Sequence, residues 1–317
     1  EIGMAFQTVI KTALALGLLA AGPAAAETYK FMTGPQGGSW YPLGGAIANF
    51  VRGVDADVRL RVRPGGGISN VMAVESGKAQ VGLGNVTSTM DAIAGNAPFR
   101  GQAQNIRNLA VLYPQFFQFV VARDGDVGSI ADMAGRAIAV GPRGHSGEQA
   151  SRQSLEVFGL TYDDLSNVNH VGYVDAVALF KDRHVDAYTV FTTVPAGAVM
   201  DAASARDVRV LSYDDKALAA LQVFNPQYVR HEIAAGTYPA QDEPVTTFGT
   251  WTQVIVNAAL PDDAAYAIVK ALAENLEGIA AVVSAMDGAT VEMLATPVGM
   301  PLHPGAQRFY HEAGVLD

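Results

Sequence analysis

A glycine turn that occurs twice constrains this chain more than any other feature. Gly34-Pro35-Gln36-Gly37 returns 107 positions later as Gly141-Pro142-Arg143-Gly144. Each copy follows a short apolar run that reads as a strand, Tyr29–Met32 and Ala137–Val140. Each precedes a serine, Ser39 or Ser146, and then a helical pattern. A glycine turn between strand and helix bares backbone N–H groups at a helix N-terminus, an arrangement suited to an anion. A second match accompanies the first: Ser76–Gly82 closes a helix and opens a strand, and Asp182–Tyr188 does the same 106 positions on. Two matches in the same order at nearly the same spacing imply one α/β unit present twice. Two such units facing one cleft have the layout of a small-molecule receptor.

The first unit reads β-α-β-α-β. Leu43, Ile47, Phe50 and Val51 recur at helical spacing, and Val58, Leu60 and Val62 alternate with charged residues as a half-buried strand. Pro64-Gly65-Gly66-Gly67 forms another glycine loop, Gly77 stops the helix after it, and Gln80–Leu83 is a third strand. This order predicts a parallel sheet whose loops converge at the strands' carboxyl ends. Leu109–Ala122 (LAVLYPQFFQFVVA) reads as the first crossing between lobes, with Pro114 marking an edge or a break. In the second unit Ser146 and Gln149 spell a capping box for a helix through Val157, and Thr161-x-x-Asp164 resembles another cap. Tyr173–Asp182 reads as a helix and Val185–Phe191 as a strand. Phe248–Val256 reads as the return strand, and Pro261-Asp262-Asp263 opens a long helix.

Residues 1–26 read as an export signal. Thr12–Ala26 is apolar, contains Gly22-Pro23, and ends in three alanines before Glu27. The stretch is too short and too broken for a membrane span of about 20 residues. The chain as a whole is half apolar and 16% charged, enough to build cores. With no cysteine it forms no disulfide, thiol nucleophile or thiolate metal site. A net charge of −10 opposes nucleic acid and anionic membranes.

Of the motifs, Thr33–Pro42 (TGPQGGSWYP) carries the strongest signal. Gly34, Gly37 and Gly38 let backbone approach a ligand, and Trp40 and Tyr41 supply flat surface with polar handles. Gly82–Thr87 (GLGNVT) falls short of a dinucleotide fingerprint, having Thr87 where a third glycine belongs; Asn85 is better read as an amide at a strand end facing a cleft. Gly144–Glu148 (GHSGE) fails as a nucleophile elbow at its last position, and Ser146 is assigned to helix capping. On that loop Arg143 and His145 stand together where they could neutralise a carboxylate, with Gly147 beside them. Thr192 and Thr193 hold the position in the second unit that Asn85 and its neighbours hold in the first. No histidine spacing fits a metal site, and no cofactor motif or catalytic constellation emerges.

Several stretches together resemble the TAXI-type receptors, the extracytoplasmic solute-binding components of one class of TRAP transporter. They are Thr33–Ala48, Gly65–Asn85, Phe116–Arg123 (FFQFVVAR), Val185–Val190 (VDAYTV) and Thr246–Asn275. The resemblance implies a two-lobed periplasmic-binding-protein fold of type II, with a ligand cleft between lobes. It implies a small organic acid, such as a glutamate-like amino acid or another carboxylate, handed by a monomeric receptor to an ion-gradient-driven permease. Trp40 stands where the family commonly has the first tyrosine of a Tyr-Tyr pair, and Asn85 where glutamine is common, which puts glutamate itself in doubt. The expected division is 27–114 plus 245–317 for lobe I and 115–244 for lobe II. Gly34, Gly37, Gly38, Trp40, Tyr41, Asn85 and Thr87 would form one wall; Arg143, His145, Ser146, Gly147, Thr192 and Thr193 would form the other. The alternative is a sensor presenting the same lobes to a membrane kinase.

Overall fold

Two β-α-β-α-β units, each with a glycine turn after its first strand, meet across two long strands. The computed structural model describes residues 27–317; the expected export signal lies outside them. The first unit is β1 (Glu27–Met32), α1 (Trp40–Val54), β2 (Val58–Arg63), α2 (Gly67–Glu75) and β3 (Val81–Asn85), followed by α3 (Val86–Ala94). β4 (Ile106–Ala122) then leads to the second unit. That unit is β5 (Ala137–Val140), α4 (Ser146–Val157), β6 (Asn167–His170), α5 (Tyr173–Lys181) and β7 (Ala187–Thr192). After it come α6 (Gly197–Ala203), β8 (Val208–Val210), α7 (Asp215–Phe224) and β9 (Val229–Ile233). β10 (Val245–Asn257) returns, and α8 (Asp262–Glu274), α9 (Leu276–Val282), α10 (Val291–Leu294) and α11 (Pro304–Glu312) close the chain.

The sheet order is β2-β1-β3-β10-β4-β7-β5-β6. In the first unit β1 pairs parallel with β2 and β3; in the second β5 pairs parallel with β6 and β7. Each unit then meets a crossing strand antiparallel, β10 against β3 and β4 against β7. The repeat therefore extends to topology. It extends to backbone detail as well. Gly37 and Gly144 share a left-handed conformation at φ +84° and +82°. Gly38 and His145 each donate N–H to the proline carbonyl three residues back, at 3.4 and 3.1 Å. The second match is also a true equivalence, since Gly77 and Arg183 end α2 and α5 at φ +69° and +61°.

Apolar packing divides along the two crossing strands. Leu112 and Tyr113 of β4 join Val254 and Val256 of β10 in a core with α1 and α8. Farther along β4, Phe117 packs with Phe248 of β10 and with Phe191, in a core that includes Leu155 of α4. Pro114 lies between the two sets, and its position corrects the reading of an edge or a break. β4 is a continuous central strand, with Pro114 opposite Trp251 just where the pairing with β10 shifts register. The irregularity spares the ladder a donor that proline lacks.

Candidate functional site

Four helix N-termini converge on one narrow cleft between the units. Ser39 and Trp40 bring the start of α1, Gly66 and Gly67 that of α2, His145, Ser146 and Gly147 that of α4, and Tyr173 that of α5. Pro35, Gly38, Gln115, Phe191 and Thr192 complete the lining. Among the described residues, no aspartate, glutamate, lysine or arginine lines it. The free space is about 20 Å³, room for about one water. A groove of about 400 Å³ lies elsewhere, between β8 and the Tyr238–Val245 turn, and holds none of the candidate residues.

The cleft is narrow because the units touch directly. Ser39 donates its backbone N–H to Thr192 Oγ1 at 3.1 Å, and Thr192 donates its hydroxyl to Ser39 Oγ at 3.2 Å. Asn85 Nδ2 donates to Ser146 Oγ at 2.8 Å, and Ser69 donates N–H to the Gly144 carbonyl at 2.9 Å. The last bond satisfies an amide in the first turn of α2 with a carbonyl from the opposite unit.

Glycines of the first unit seat side chains of the second. A Cβ on Gly66 would stand 2.3 Å from the His145 ring, and one on Gly67 would stand 2.6 Å from Ser146 Oγ. Gly37 and Gly38 make the same allowance for Tyr173, at 3.3 and 3.1 Å. Gly34 serves its own loop, where a Cβ would meet Trp40 Cβ at 2.7 Å. The glycine turns thus do two things: they bare amides, and they let the units approach.

The remaining candidates divide. Trp40 lines the cleft but is only 5% exposed, belongs to the first core and donates its indole N–H to Thr252 Oγ1 at 3.2 Å. Tyr41 is off the lining and 42% exposed, its hydroxyl accepting from Gln36 Nε2 at 3.4 Å. Asn85 is fully buried; its Oδ1 caps α3 through Ser88 N–H and accepts the Thr87 hydroxyl. Thr87 lies behind it, off the lining. Arg143 is exposed and also off the lining. His145 is on it, and burial pushes its imidazole below the ordinary histidine range, favouring the neutral ring. Thr193 turns its carbonyl to Gln118 Nε2 at 3.3 Å.

Ser146 needs a correction. The N-cap of α4 is His145, and Ser146 is the first helical residue, so the expected serine capping box does not form. Its hydroxyl serves the bond from Asn85 instead. The Thr161–Asp164 cap does form, at 2.7 Å from Thr161 N–H to the carboxylate.

Sequence reasoning missed Gln115, Tyr173, Gly66 and Gly67 as lining residues. Tyr173 is buried, with its phenol pushed up to about 12 by burial, and it holds the end of β7 by donating to the Phe191 carbonyl and accepting the Phe191 N–H. A sequence offers no local sign of that bond. The glycines did leave a sign, since Pro64–Gly67 was legible as a loop facing the same sheet edge.

Residues 31–314 match the NMT1-like family, and the chain belongs to it. Its fold is the α/β fold of periplasmic solute-binding proteins. The periplasmic binding protein BugD superposes with a TM-score of 0.57 at 13% identity, over 93% of this chain and 99% of that one. A protein from Bordetella bronchiseptica RB50 gives 0.51 at 20% identity, over 92% and 89%. A putative L-cystine ABC transporter from Listeria monocytogenes gives 0.50 at 11%, over 83% and 97%. Among the described residues, no helix is long and apolar enough to cross a membrane.

Proposed function

We propose that this protein is a periplasmic receptor that captures a small organic carboxylate between two lobes, 27–114 with 245–317 and 115–244. It then delivers the ligand to an ion-gradient-driven TRAP permease. One observation carries the ligand class: four helix N-termini meet at a cleft that no carboxylate of the described residues lines. Helix ends present partial positive charge and unpaired N–H groups, which favour an anion without requiring a buried arginine. α1 and α2 have no acidic residue in their first turns to offset that charge. Entry requires the direct contacts of the cleft to open and close again over the ligand, the hinge closure of a two-lobed receptor. The TAXI-like stretches support the choice of a TRAP permease as partner.

Thermal unfolding against paired compounds tests the ligand class. Short carboxylates should raise the melting temperature, and their uncharged primary amides should not. Stabilisation by the amides but by no carboxylate would overturn it. For the partner, uptake in cells should need this receptor and fail when the ion gradient is collapsed. Uptake that persists without the gradient but stops on ATP depletion would exclude a TRAP permease.

A further inference from the structure

Gln115 is a nearly buried amide that bonds no other described residue of the protein. It is 3% exposed, lies on β4 and lines the cleft, yet its side chain makes no hydrogen bond among the described residues. Its buried neighbours differ. Gln118, three residues on in the same strand, donates to the Thr193 carbonyl and accepts from Tyr238. Asn70 donates to the Thr33 and Leu83 carbonyls, both at 2.8 Å. Gln253 accepts the Thr89 hydroxyl at 2.7 Å. Polar side chains this nearly buried are usually paired within the protein; the Gln115 amide is paired with none of it and faces the cleft, so its partners are whatever enters there.

Strand alternation sets the direction of the side chain. Tyr113, two residues earlier and so on the same face, reaches Ser39 Oγ at 3.1 Å. Gln115 therefore stands on the cleft floor beside the start of α1. Its strand is paired with β10 and then with β7, held from both units. An amide on a strand shared by both units keeps its place as they open and close. It offers one acceptor and two donors and no charge.

We propose, on the basis of the carboxylate reading above, that Gln115 is the specificity-determining residue of this cleft. The ligand then carries a hydroxyl, oxo or amino group near its carboxylate, and the Gln115 amide reads that group while the helix N-termini hold the charge.

Titration calorimetry on matched acids provides the test: propanoate against lactate and pyruvate, and glutarate against 2-hydroxyglutarate, 2-oxoglutarate and glutamate. In at least one set the substituted acid should bind the wild-type receptor about tenfold or more tightly than its parent. Gln115→Met, similar in shape but without the amide, should erase that preference, so that the substituted acid binds the variant within about twofold of its parent. It should also leave the melting temperature of the ligand-free protein unchanged or higher, because the lost amide had no partner. Equal binding of parent and substituted acids overturns the role of Gln115 while leaving the carboxylate reading intact. A preference that survives in Gln115→Met does the same, as does a clear fall in that variant's ligand-free melting temperature. Failure of every acid, parent and substituted alike, strikes the carboxylate reading itself.

Discussion

The two glycine turns have the same backbone and opposite roles. In the first unit the loops present bare glycine: Gly37 and Gly38 after β1, Gly66 and Gly67 after β2. In the second unit the corresponding surfaces carry His145, Ser146 and Tyr173, which occupy those seats. The charge differs in the same sense. α1 and α2 have no acid in their first turns, whereas α4 carries Glu148 and α5 carries Asp175. Duplicated topology thus yields a receiving half with bare positive helix ends and a filling half with side chains to close over it. Symmetric loops would either clash or leave a void. Asymmetric ones mesh.

The largest effect should come from filling a seat. In Gly66→Ala the new Cβ would lie 2.3 Å from the His145 ring, so the ring must move or the units must part. Overpacking of this kind costs about 1–3 kcal/mol. Charged to the closed state, it weakens ligand binding by roughly 5- to 150-fold. Adding His145→Ala should restore much of the loss, because the clash needs both partners. Wild-type affinity in Gly66→Ala would break the comparison, since the glycines would then not be seats.

A loss of similar size, read on stability rather than on affinity, is expected at the polar seam. Ser146→Ala leaves the Asn85 amide N–H buried without its 2.8 Å acceptor, a cost of about 1–3 kcal/mol. Denaturant unfolding of the ligand-free protein should show it as a lowered midpoint at unchanged slope. Helicity of α4 should not change, since Ser146 is not its cap. Asn85→Ala should cost more, because the same residue also caps α3, worth about 1 kcal/mol. If Ser146→Ala instead frays α4, the serine works within its own unit and the seam bond is incidental.

What the sequence made legible follows from where the determinants lie. β1 through β3 were readable because the alternation in Val58–Val62 and the helical spacing of Leu43 to Val51 are local patterns. α3 was not seen, because its cap, Asn85, sits in a stretch that reads as a loop. β6 escaped because Asn167–His170 is a polar edge strand with little apolar content. β8 is short and depends on pairing with β4 far earlier in the chain, and β9 is a largely exposed strand paired with β10. At the site the glycine turns were plain, but the partners of Ser146 and Tyr173 lie across the fold. Gln115 did leave a trace: with Gln118 it interrupts an otherwise apolar run, LYPQFFQFVV. Which of the two was satisfied depended on Tyr238, 120 residues after Gln118.

The repeat also predicts a stabilising change. Arg183 occupies the left-handed position that Gly77 fills in the first unit, at φ +61°. A side chain there costs about 1–2 kcal/mol relative to the right-handed region. Glycine relieves this but adds freedom to the unfolded chain, which offsets part of the gain. Arg183→Gly should therefore stabilise the protein by about 0.5–1 kcal/mol, and Gly77→Arg should destabilise it by a similar amount. Opposite signs for this reciprocal pair would confirm that the two helix ends are equivalent. A destabilised Arg183→Gly would mean that the arginine side chain has a role the first unit lacks.

The smallest effect should be at Arg143, the charge that most distinguishes the tip of the second turn from Gln36 in the first. An exposed arginine off the cleft lining sits in water, where its field on a bound anion is screened. With the helix N-termini holding the carboxylate, Arg143→Ala should change affinity less than about threefold, and that small change should disappear at high salt. A loss of 10- to 150-fold, the range for a charge-assisted hydrogen bond of about 1.5–3 kcal/mol, would show that Arg143 swings in to anchor the carboxylate when ligand is bound. The filling half would then supply charge as well as shape. Titration of Arg143→Ala and Gln36→Arg together sharpens the point. If tip charge contributes only through the long-range field, the two substitutions should shift affinity slightly and in opposite directions, and the double variant should bind as the wild type does.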